Sequence, residues 1–152
     1  MANKVSKREQ IMQHLQKRFE AARAGTNGYS VTWNSVTRRP LSRVEVGMGD
    51  AVGLFDMRET KRQEIQHMRC DLSLVIEFYL YIQLGDDPGT ELNRMMLDIQ
   101  RTIRQDIYCS GLTLNIVESK NELDIDGPTD SLVAGVVEYL IQYRHLVDDP
   151  SL

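Results

Sequence analysis

The chain has 152 residues, a length that suits one domain with a sizeable buried core. Its 18 basic and 22 acidic residues nearly balance, at a formal net charge of −4, which argues against general binding to nucleic acid or to an anionic membrane. The first residues lack the apolar core of a signal peptide and no segment approaches ~18 consecutive apolar residues, so we expect a protein that is made and stays in the cytosol unless a larger assembly carries it out.

An amphipathic helix is predicted over residues 3–25. Ser6 and Glu9 have the spacing of a capping box, in which the serine hydroxyl accepts from the glutamate amide and the glutamate reaches back. Gly25 and the Asn27-Gly28 pair end the helix. Its apolar face consists of Ile11, Met12, Leu15, Phe19 and Ala22.

A strand is predicted directly after the helix, because Tyr29, Val31 and Trp33 alternate with polar residues. We expect Trp33 in the core or between helix and sheet, with stacking on a ligand as the alternative. An arginine pair, Arg38 and Arg39, then ends the strand in a loop.

Residues 45–60 show no sustained period, and we interpret them as a long loop. Leu54, Phe55 and Met57 stand among charged residues there, which is unusual because loops usually lie on the surface. Either these side chains fold back onto the body of the domain or they contact a partner.

The most regular pattern in the chain is the alternation over residues 69–83, in which every even position is apolar. At ~3.3 Å per residue this run would span roughly 50 Å, beyond the ~17–20 Å of a usual strand. It predicts a very long central strand of an antiparallel sheet; two shorter strands broken by a bulge are the alternative. Cys70 lies on the apolar side, which favours a buried thiol over a disulfide or a metal ligand.

A second helix is predicted after Asp87, which is well placed as its N-cap with Pro88 at the first helical position. Thr90 is the competing cap. The apolar face consists of Leu92, Met95, Met96, Ile99 and Ile103, and we interpret its methionines as core residues. The polar face consists of Arg94, Asp98, Gln100, Arg101 and Arg104.

The last third of the chain predicts more strands. Residues 112–116 form one strand, residues 118–122 a polar turn, and residues 123–125 a brief returning strand. Residues 132–143 form a last strand, and residues 145–152 a polar tail.

The order of helix, strands, helix and strands predicts one α+β domain over residues 1–152, with a mostly antiparallel sheet and two helices packed on one face. Val75, Tyr79 and Tyr81 make the other face amphipathic. That character is typical of a surface where one subunit meets another.

Catalytic chemistry is not indicated. The chain has no G-x-S-x-G, no P-loop and no dinucleotide-binding glycine motif after a strand. His14, His67 and His145 are far apart, and residues 124–130 fit a turn rich in aspartate better than a calcium loop. Glu77 could act as a general acid, but no second catalytic residue is evident and cross-strand pairing is favoured. We therefore expect no enzyme, no metal and no cofactor.

The order of features in the second half carries a family resemblance. These features are a strand ending in Tyr79-Leu80-Tyr81, the turn Gly85-Asp86-Asp87-Pro88, a helix through Leu97-Asp98-Ile99, Asp106 followed by Gly111-Leu112, and a final strand through Gln142-Tyr143-Arg144. The opening helix followed by a loop with Arg39-Pro40-Leu41 is similar too. In these respects the chain resembles the tail-terminator (tail-completion) proteins of long-tailed bacteriophages, including the type of the lambda minor tail protein U.

The resemblance implies a structural virion protein whose homohexameric ring caps the finished tail tube, stops tube polymerisation and offers a surface for head joining. The implied partners are further copies, the tail tube protein, a head-tail connector or neck protein, and the tail sheath if the tail is contractile. It implies no membrane and no sequence-specific nucleic acid. The protein would be assembled in the host cytoplasm and reside at the neck end of the virion tail.

A neck or head-completion ring protein, or a small oligomeric binding module of the same fold, is the alternative, and a small α+β hydrolase ranks third. As partner-binding residues we expect Arg38, Arg39, Leu54, Phe55, Met57, Arg58, Tyr79 and Tyr81.

Overall fold

The computed structural model describes residues 3–42, 45–46, 49–82, 86–129 and 132–152, with the backbone alone for residues 126–129. The main helices are α1 (Lys7–Ala21) and α2 (Pro88–Arg104), and a short 3-10 turn spans Cys109–Gly111. The strands are β1 (Ser35–Thr37), β2 (Ala51–Glu64), β3 (His67–Tyr81), β4 (Asn115–Thr129) and β5 (Leu132–Leu146).

The five strands form one sheet in the order β1-β2-β3-β5-β4. Among the described strands, only the short β1 pairs in parallel; the other neighbours are antiparallel. The predicted α+β fold with a mostly antiparallel sheet is therefore confirmed, and β3 is its central strand. One outstandingly long strand is not confirmed, because β3 has 15 residues while β2 has 14 and β4 and β5 have 15 each.

Both helices pack on the same side of the sheet, as predicted; we call it the helix face, and the opposite side the open face. The even residues of β3 and the odd residues of β5 point to the helix face and are buried there with the apolar residues of both helices. The fully buried helix residues include Ile11, Leu15 and Phe19 of α1, and Leu92, Ile99 and Ile103 of α2. The free thiol of Cys70 is buried in this core, as predicted.

The predicted helix caps are partly confirmed. The Ser6 hydroxyl accepts from the Glu9 amide at 3.2 Å, but the Glu9 carboxylate accepts from Gln13 and Arg38, so the reciprocal half of the box is replaced by other contacts. Asp87 caps α2 by accepting from the amides of Gly89 and Thr90. The first helix is shorter than predicted, since it begins at Lys7 and ends at Ala21.

The strand predicted at Tyr29–Trp33 is wrong, although its alternation does mark burial. Tyr29, Val31 and Trp33 are buried in an extended segment outside the described sheet. The amides of Ser30 and Val31 instead donate to the Asp98 carboxylate, at 2.8 and 2.7 Å. Buried backbone donors need an acceptor.

Asp98 therefore does not lie on a polar face of α2, as predicted, but is fully buried between that helix and the extended segment. Trp33 is a core residue, and its ring lies 6.5 Å from that of Phe19.

The long loop predicted over residues 45–60 is also wrong from Ala51 onward, where β2 begins. The alternation was hidden because the register of β2 against β3 shifts between Asp56 and Glu59. It was hidden also because the carboxylates of Asp56 and Glu59 point to the helix face. Two arginines bind Asp56 there, and a tyrosine binds Glu59. Gly47 and Met48 of the predicted loop lie outside the described residues.

Two further boundaries differ near the C-terminus. The polar turn predicted over residues 118–122 belongs to the continuous β4, which shifts register between Glu118 and Lys120. The predicted tail is structured, since His145 is buried within β5 and the amide of Leu146 donates to the carbonyl of Leu152. The amide of Lys7 also donates to the carbonyl of Pro150, so residues 145–152 pack against the start of α1.

Candidate functional site

An apolar band crosses the middle of the open face. Phe55 of β2 stands opposite Val75 of β3, and Leu140 of β5 stands opposite Val117 of β4. The Phe55 ring lies against the backbone of Gly53, where an added Cβ atom would come within 2.8 Å of two ring carbons. Val117 is 46% exposed. Since α1 and α2 pack on the helix face, neither helix covers this band.

A row of three arginines, which we call the basic end, crosses three strands on the open face. Arg62 of β2 pairs in register with Arg69 of β3, which pairs with Arg144 of β5. Like charges directly opposite each other are destabilising. A hydrogen bond from Arg62 lowers the pKa of Glu64 more than burial raises it, and the charges of Arg69 and Arg144 lower it further.

A cavity of about 310 Å³ opens beside this row. Its lining residues are Thr60, Lys61, Arg62, Arg69 and Asp71. The basic end is therefore a concave surface with cationic side chains at its rim, the charge and shape that suit a carboxylate-bearing partner.

Three carboxylates, which we call the acidic end, lie at the other end of the open face. Glu77 and Glu122 stand on either side of Val136, and Asp124 stands one row further along, opposite Ala134. All three line a cavity of about 270 Å³.

Tyr79 lies at the same end and is held by one of these carboxylates. Its hydroxyl donates to Glu77 at 3.0 Å. Burial raises the pKa of Tyr79 to about 12, and the charge of Glu77 adds to the shift. The phenol therefore stays protonated at neutral pH and keeps its donor bond.

The structure places five of the eight predicted partner-binding residues on or beside the open face. Phe55, Tyr79 and Tyr81 belong to it by register, and Tyr81 is 50% exposed. Met57 and Arg58 are exposed where β2 shifts register. Phe55, Tyr79 and Tyr81 share one face of the sheet, and the contact of all five residues with a partner stays a prediction.

The other three residues lie elsewhere. Leu54 is fully buried in the core beneath the helices, so the prediction that it contacts a partner is wrong. Arg38 is half-buried and binds Glu9 at 2.6 Å and Asp56 at 2.9 Å, which gives it a structural role within the subunit. Arg39 is exposed and pairs with Glu45.

The arginine row and the acidic end were missed by sequence reasoning. The arginines stand on three strands and the carboxylates on two, far apart in the chain, and strand register alone brings each group together. The alternation over residues 69–83 already placed Arg69 and Glu77 on the same side of one strand. These two residues were the sequence signal that opposite charges lie toward opposite ends of this face.

A larger groove of about 550 Å³ lies between α2 and the edge strand β4, lined by Gln100, Ile103, Arg104, Asn115, Ile116, Val117, Glu118 and Tyr139. The Tyr139 hydroxyl is buried without a hydrogen-bond partner among the described groups, and burial raises its pKa. Gln100 donates to Glu118 at 3.0 Å across the groove. The groove has polar walls, and none of the described residues that line it is a nucleophile paired with a base.

A polar cluster on the helix face, near the basic end, satisfies its own hydrogen bonds. Lys61 lies 3.1 Å from His145 Nε2, while His145 Nδ1 lies 2.7 Å from the Leu146 carbonyl. Both ring nitrogens of His145 therefore have a hydrogen-bond partner within the subunit. The cluster therefore reads as structural.

No group of three or more histidine, cysteine, aspartate or glutamate side chains in the described part could hold a metal ion. Neither α-helix in that part is long and apolar enough to cross a membrane. The chain matches no family model and no curated protein.

Proposed function

We propose that this chain is the subunit of a homohexameric ring that caps the tail tube of a long-tailed bacteriophage, ends tube polymerisation and offers a surface for joining the head. The observation that carries the proposal is the open face. Helices cover one side of the sheet, while the other side carries the band of Phe55, Val75, Leu140 and Val117. Apolar side chains grouped on a face that neither helix covers are typical of an interaction site.

The sheet edges support assembly as well. β4 is an edge strand of 15 residues, and β1 covers only the first three residues of the outer edge of β2. Unpaired edges can pair with or be covered by another chain. Identical subunits that use two different surfaces in a head-to-tail contact form a ring when the rotation between neighbours closes, and an open filament when it does not.

The sequence resemblance supports the proposed identity of the ring. The turn at Asp87-Pro88, the helix that follows and the closing strand through Tyr143 occur in the order found in tail terminators. A neck ring protein would present similar edges and a similar open face, so the two are separated by genetics. Deleting the gene from its phage should give overlong tails without heads if the protein is a terminator. Tails of normal length that fail to join heads would instead identify a neck protein.

Native mass spectrometry tests the oligomer directly. We expect a six-fold species, or a monomer that becomes six-fold on the ends of tail tubes. A strict monomer or dimer at high concentration, without affinity for tubes, would contradict the proposal.

A charge placed in the apolar band tests the surface. Phe55→Asp and Val117→Asp should each abolish the six-fold species while the circular dichroism spectrum stays unchanged. Ile65→Asp is the matched control, because Ile65 is 93% exposed at the turn between β2 and β3, away from the band. Six-fold assembly by both band variants would show that the band is not the contact, and unfolding of Phe55→Asp alone would assign Phe55 to the core.

A further inference from the structure

We infer that the groove between α2 and β4 binds an extended peptide segment. The main chain of the peptide adds to the free edge of β4, and its oxygen atoms accept from the side chains of Tyr139 and Arg104. The inference goes beyond the proposed ring, because a peptide can occupy this groove whether or not six copies assemble.

The groove has a helix for one wall and a strand for the other. Gln100, Ile103 and Arg104 share one face of α2, and residues 115–118 of β4 line the other side. The volume of about 550 Å³ is within the ~300–1,000 Å³ of ligand sites. The strand wall is roughly 13 Å long, at ~3.3 Å per residue. The groove therefore has the size and the straight wall that a short extended peptide requires.

The strand wall is a free edge of the sheet. Among the described strands, β4 has β5 on one side and no neighbour on the other. Alternate amides and carbonyls of such an edge point away from the sheet and can pair with an added strand. Residues 115–118 align with β5 without interruption and include neither lysine nor proline, the residues that often block an edge. The register shift between Glu118 and Lys120 comes only after them, so the groove is lined by regular strand.

Tyr139 brings an unsatisfied hydroxyl to this groove. The residue is 4% exposed, and its hydroxyl makes no hydrogen bond to any described group. The charge of Glu118 raises the pKa of this hydroxyl and the charge of Arg104 lowers it, so the hydroxyl lies near both of these lining side chains. A buried polar group without a hydrogen bond costs stability. A peptide oxygen in the groove would accept from the hydroxyl and remove that cost.

The charged groups of the groove also call for an oxygen acceptor. Over the described residues, Arg104 has no carboxylate within ion-pair distance. Glu118 is the carboxylate among the lining residues, and it already accepts from Gln100 at 3.0 Å and from Asn121 at 2.8 Å. The open groups are therefore donors, which a main-chain carbonyl or a C-terminal carboxylate satisfies. A small carboxylate could meet these donors, but only an extended main chain also pairs with the edge of β4.

Selection from random heptapeptides tests the inference. The probe is a synthetic library made once with a free C-terminal carboxylate and once with a C-terminal amide. We expect the unmodified chain to enrich peptides, whose affinity fluorescence anisotropy then measures. Tyr139→Phe should weaken their binding at least about fivefold, because one hydrogen bond is lost. Tyr81→Phe is the matched control and should leave the affinity unchanged, since Tyr81 lies at the far end of β3 and pairs with Leu132.

Hydrogen exchange distinguishes strand addition from other modes of binding. Amides of residues 115–118 that face the groove should exchange more slowly when a peptide is bound, because the added strand accepts from them. Unchanged exchange at all four amides would overturn the inference even if a peptide binds. Failure of both libraries to enrich any peptide would overturn it too, as would equal affinity of Tyr139→Phe and the unmodified chain.

Urea denaturation of Tyr139→Phe checks the premise. Because the hydroxyl has no partner, its removal should leave the fold at least as stable as before. A less stable or unfolded variant would show that the hydroxyl is bonded within the subunit, and the inference would fall.

The two libraries identify the accepting oxygen, and either result supports a peptide site. Enrichment of free-carboxylate peptides alone, with that preference lost in Arg104→Gln, would place the C-terminus of the peptide at Arg104. Equal enrichment of both libraries would place main-chain carbonyls there.

Discussion

The hydroxyl of Tyr143 on β5 donates to Glu59 on β2 at 2.5 Å, although β3 lies between these two strands. By register, Tyr143 stands opposite Cys70 and Glu59 stands opposite Leu72, so the bond crosses over the central strand on the helix face. The Glu59 side chain is only 8% exposed and also pairs with Lys61 at 3.3 Å. Burial, together with this carboxylate, raises the pKa of Tyr143 and keeps its proton in place.

Tyr143→Phe should lower the free energy of unfolding by about 2 kcal/mol, because a buried carboxylate loses a hydrogen-bond donor. Urea denaturation at pH 7 measures the change. Tyr79→Phe is the control, since that hydroxyl bonds to Glu77 on the same strand at a half-exposed site; we expect it to lose less than about 1 kcal/mol. Equal losses would mean that the bond across β3 adds no special stability.

Asp98→Ala should destabilise the protein by roughly 3 kcal/mol, because the buried amides of Ser30 and Val31 lose their acceptor. Asp98→Asn keeps one oxygen that can accept from them and should lose less. Hydrogen exchange at the two amides is the direct readout, and we expect it to accelerate most in the alanine variant. Unchanged exchange there would refute the role given to Asp98.

Gly135→Ala should destabilise the protein by about 1–3 kcal/mol through overpacking. The added Cβ atom would lie 2.2 Å from Cζ of Phe78, its cross-strand neighbour. In the Phe78→Leu background, Gly135→Ala should lower the free energy of unfolding by less than it does in the unmodified chain, as a double-mutant cycle would show. Gly89→Ala is the matched control, because its nearest contact would be an ordinary 3.5 Å. If Gly135→Ala left the free energy of unfolding unchanged, the sheet would accommodate the added methyl group at no energetic cost.

Asp56 should contribute to the loss of stability in acid. Burial alone raises the pKa of Asp56, but hydrogen bonds from Arg8 and Arg38 outweigh it and hold the pKa below its ordinary value. A carboxyl group of this kind stabilises the fold fully above the unfolded pKa of ~3.9, and the contribution is lost as the pH falls through the lower folded pKa. The free energy of unfolding should therefore fall more steeply between about pH 5 and pH 2 in the unmodified chain than in Asp56→Asn. Parallel pH profiles would contradict this assignment.

The elements predicted correctly from the sequence are those whose stabilising contacts are local or strictly periodic. The alternation through Cys70 and Phe78 predicted the central strand, and Ser6 and Asp87 predicted the helix starts. β2 was missed because Asp56 points to the helix face. Its partners, Arg8 and Arg38, come from other parts of the chain, so no local pattern shows that a charged residue can sit there.

The candidate site was predictable in the same limited way. Tyr79 and Tyr81 were placed on the outer side of the long strand by their odd positions, and the register agrees. The row of Arg62, Arg69 and Arg144 was not predictable, because it depends on which strands are neighbours and on how they align. β3 pairs with β5 rather than with β4, the next long strand along the chain, and that choice is made by tertiary packing.

The β3–β5 ladder also has a consequence for how the protein is made. These strands pair residue for residue from His67–Leu146 to Tyr81–Leu132, so each position of β3 finds its partner only roughly 50 to 80 residues later. At the ~5–20 residues per second of ribosomal synthesis, one side of β3 waits on the order of several seconds for its neighbour. During that interval the nascent chain exposes an incomplete sheet in which one edge of β3 is unpaired. We therefore expect destabilising substitutions in β5 to increase chaperone binding and insoluble expression more than substitutions in the other strands do.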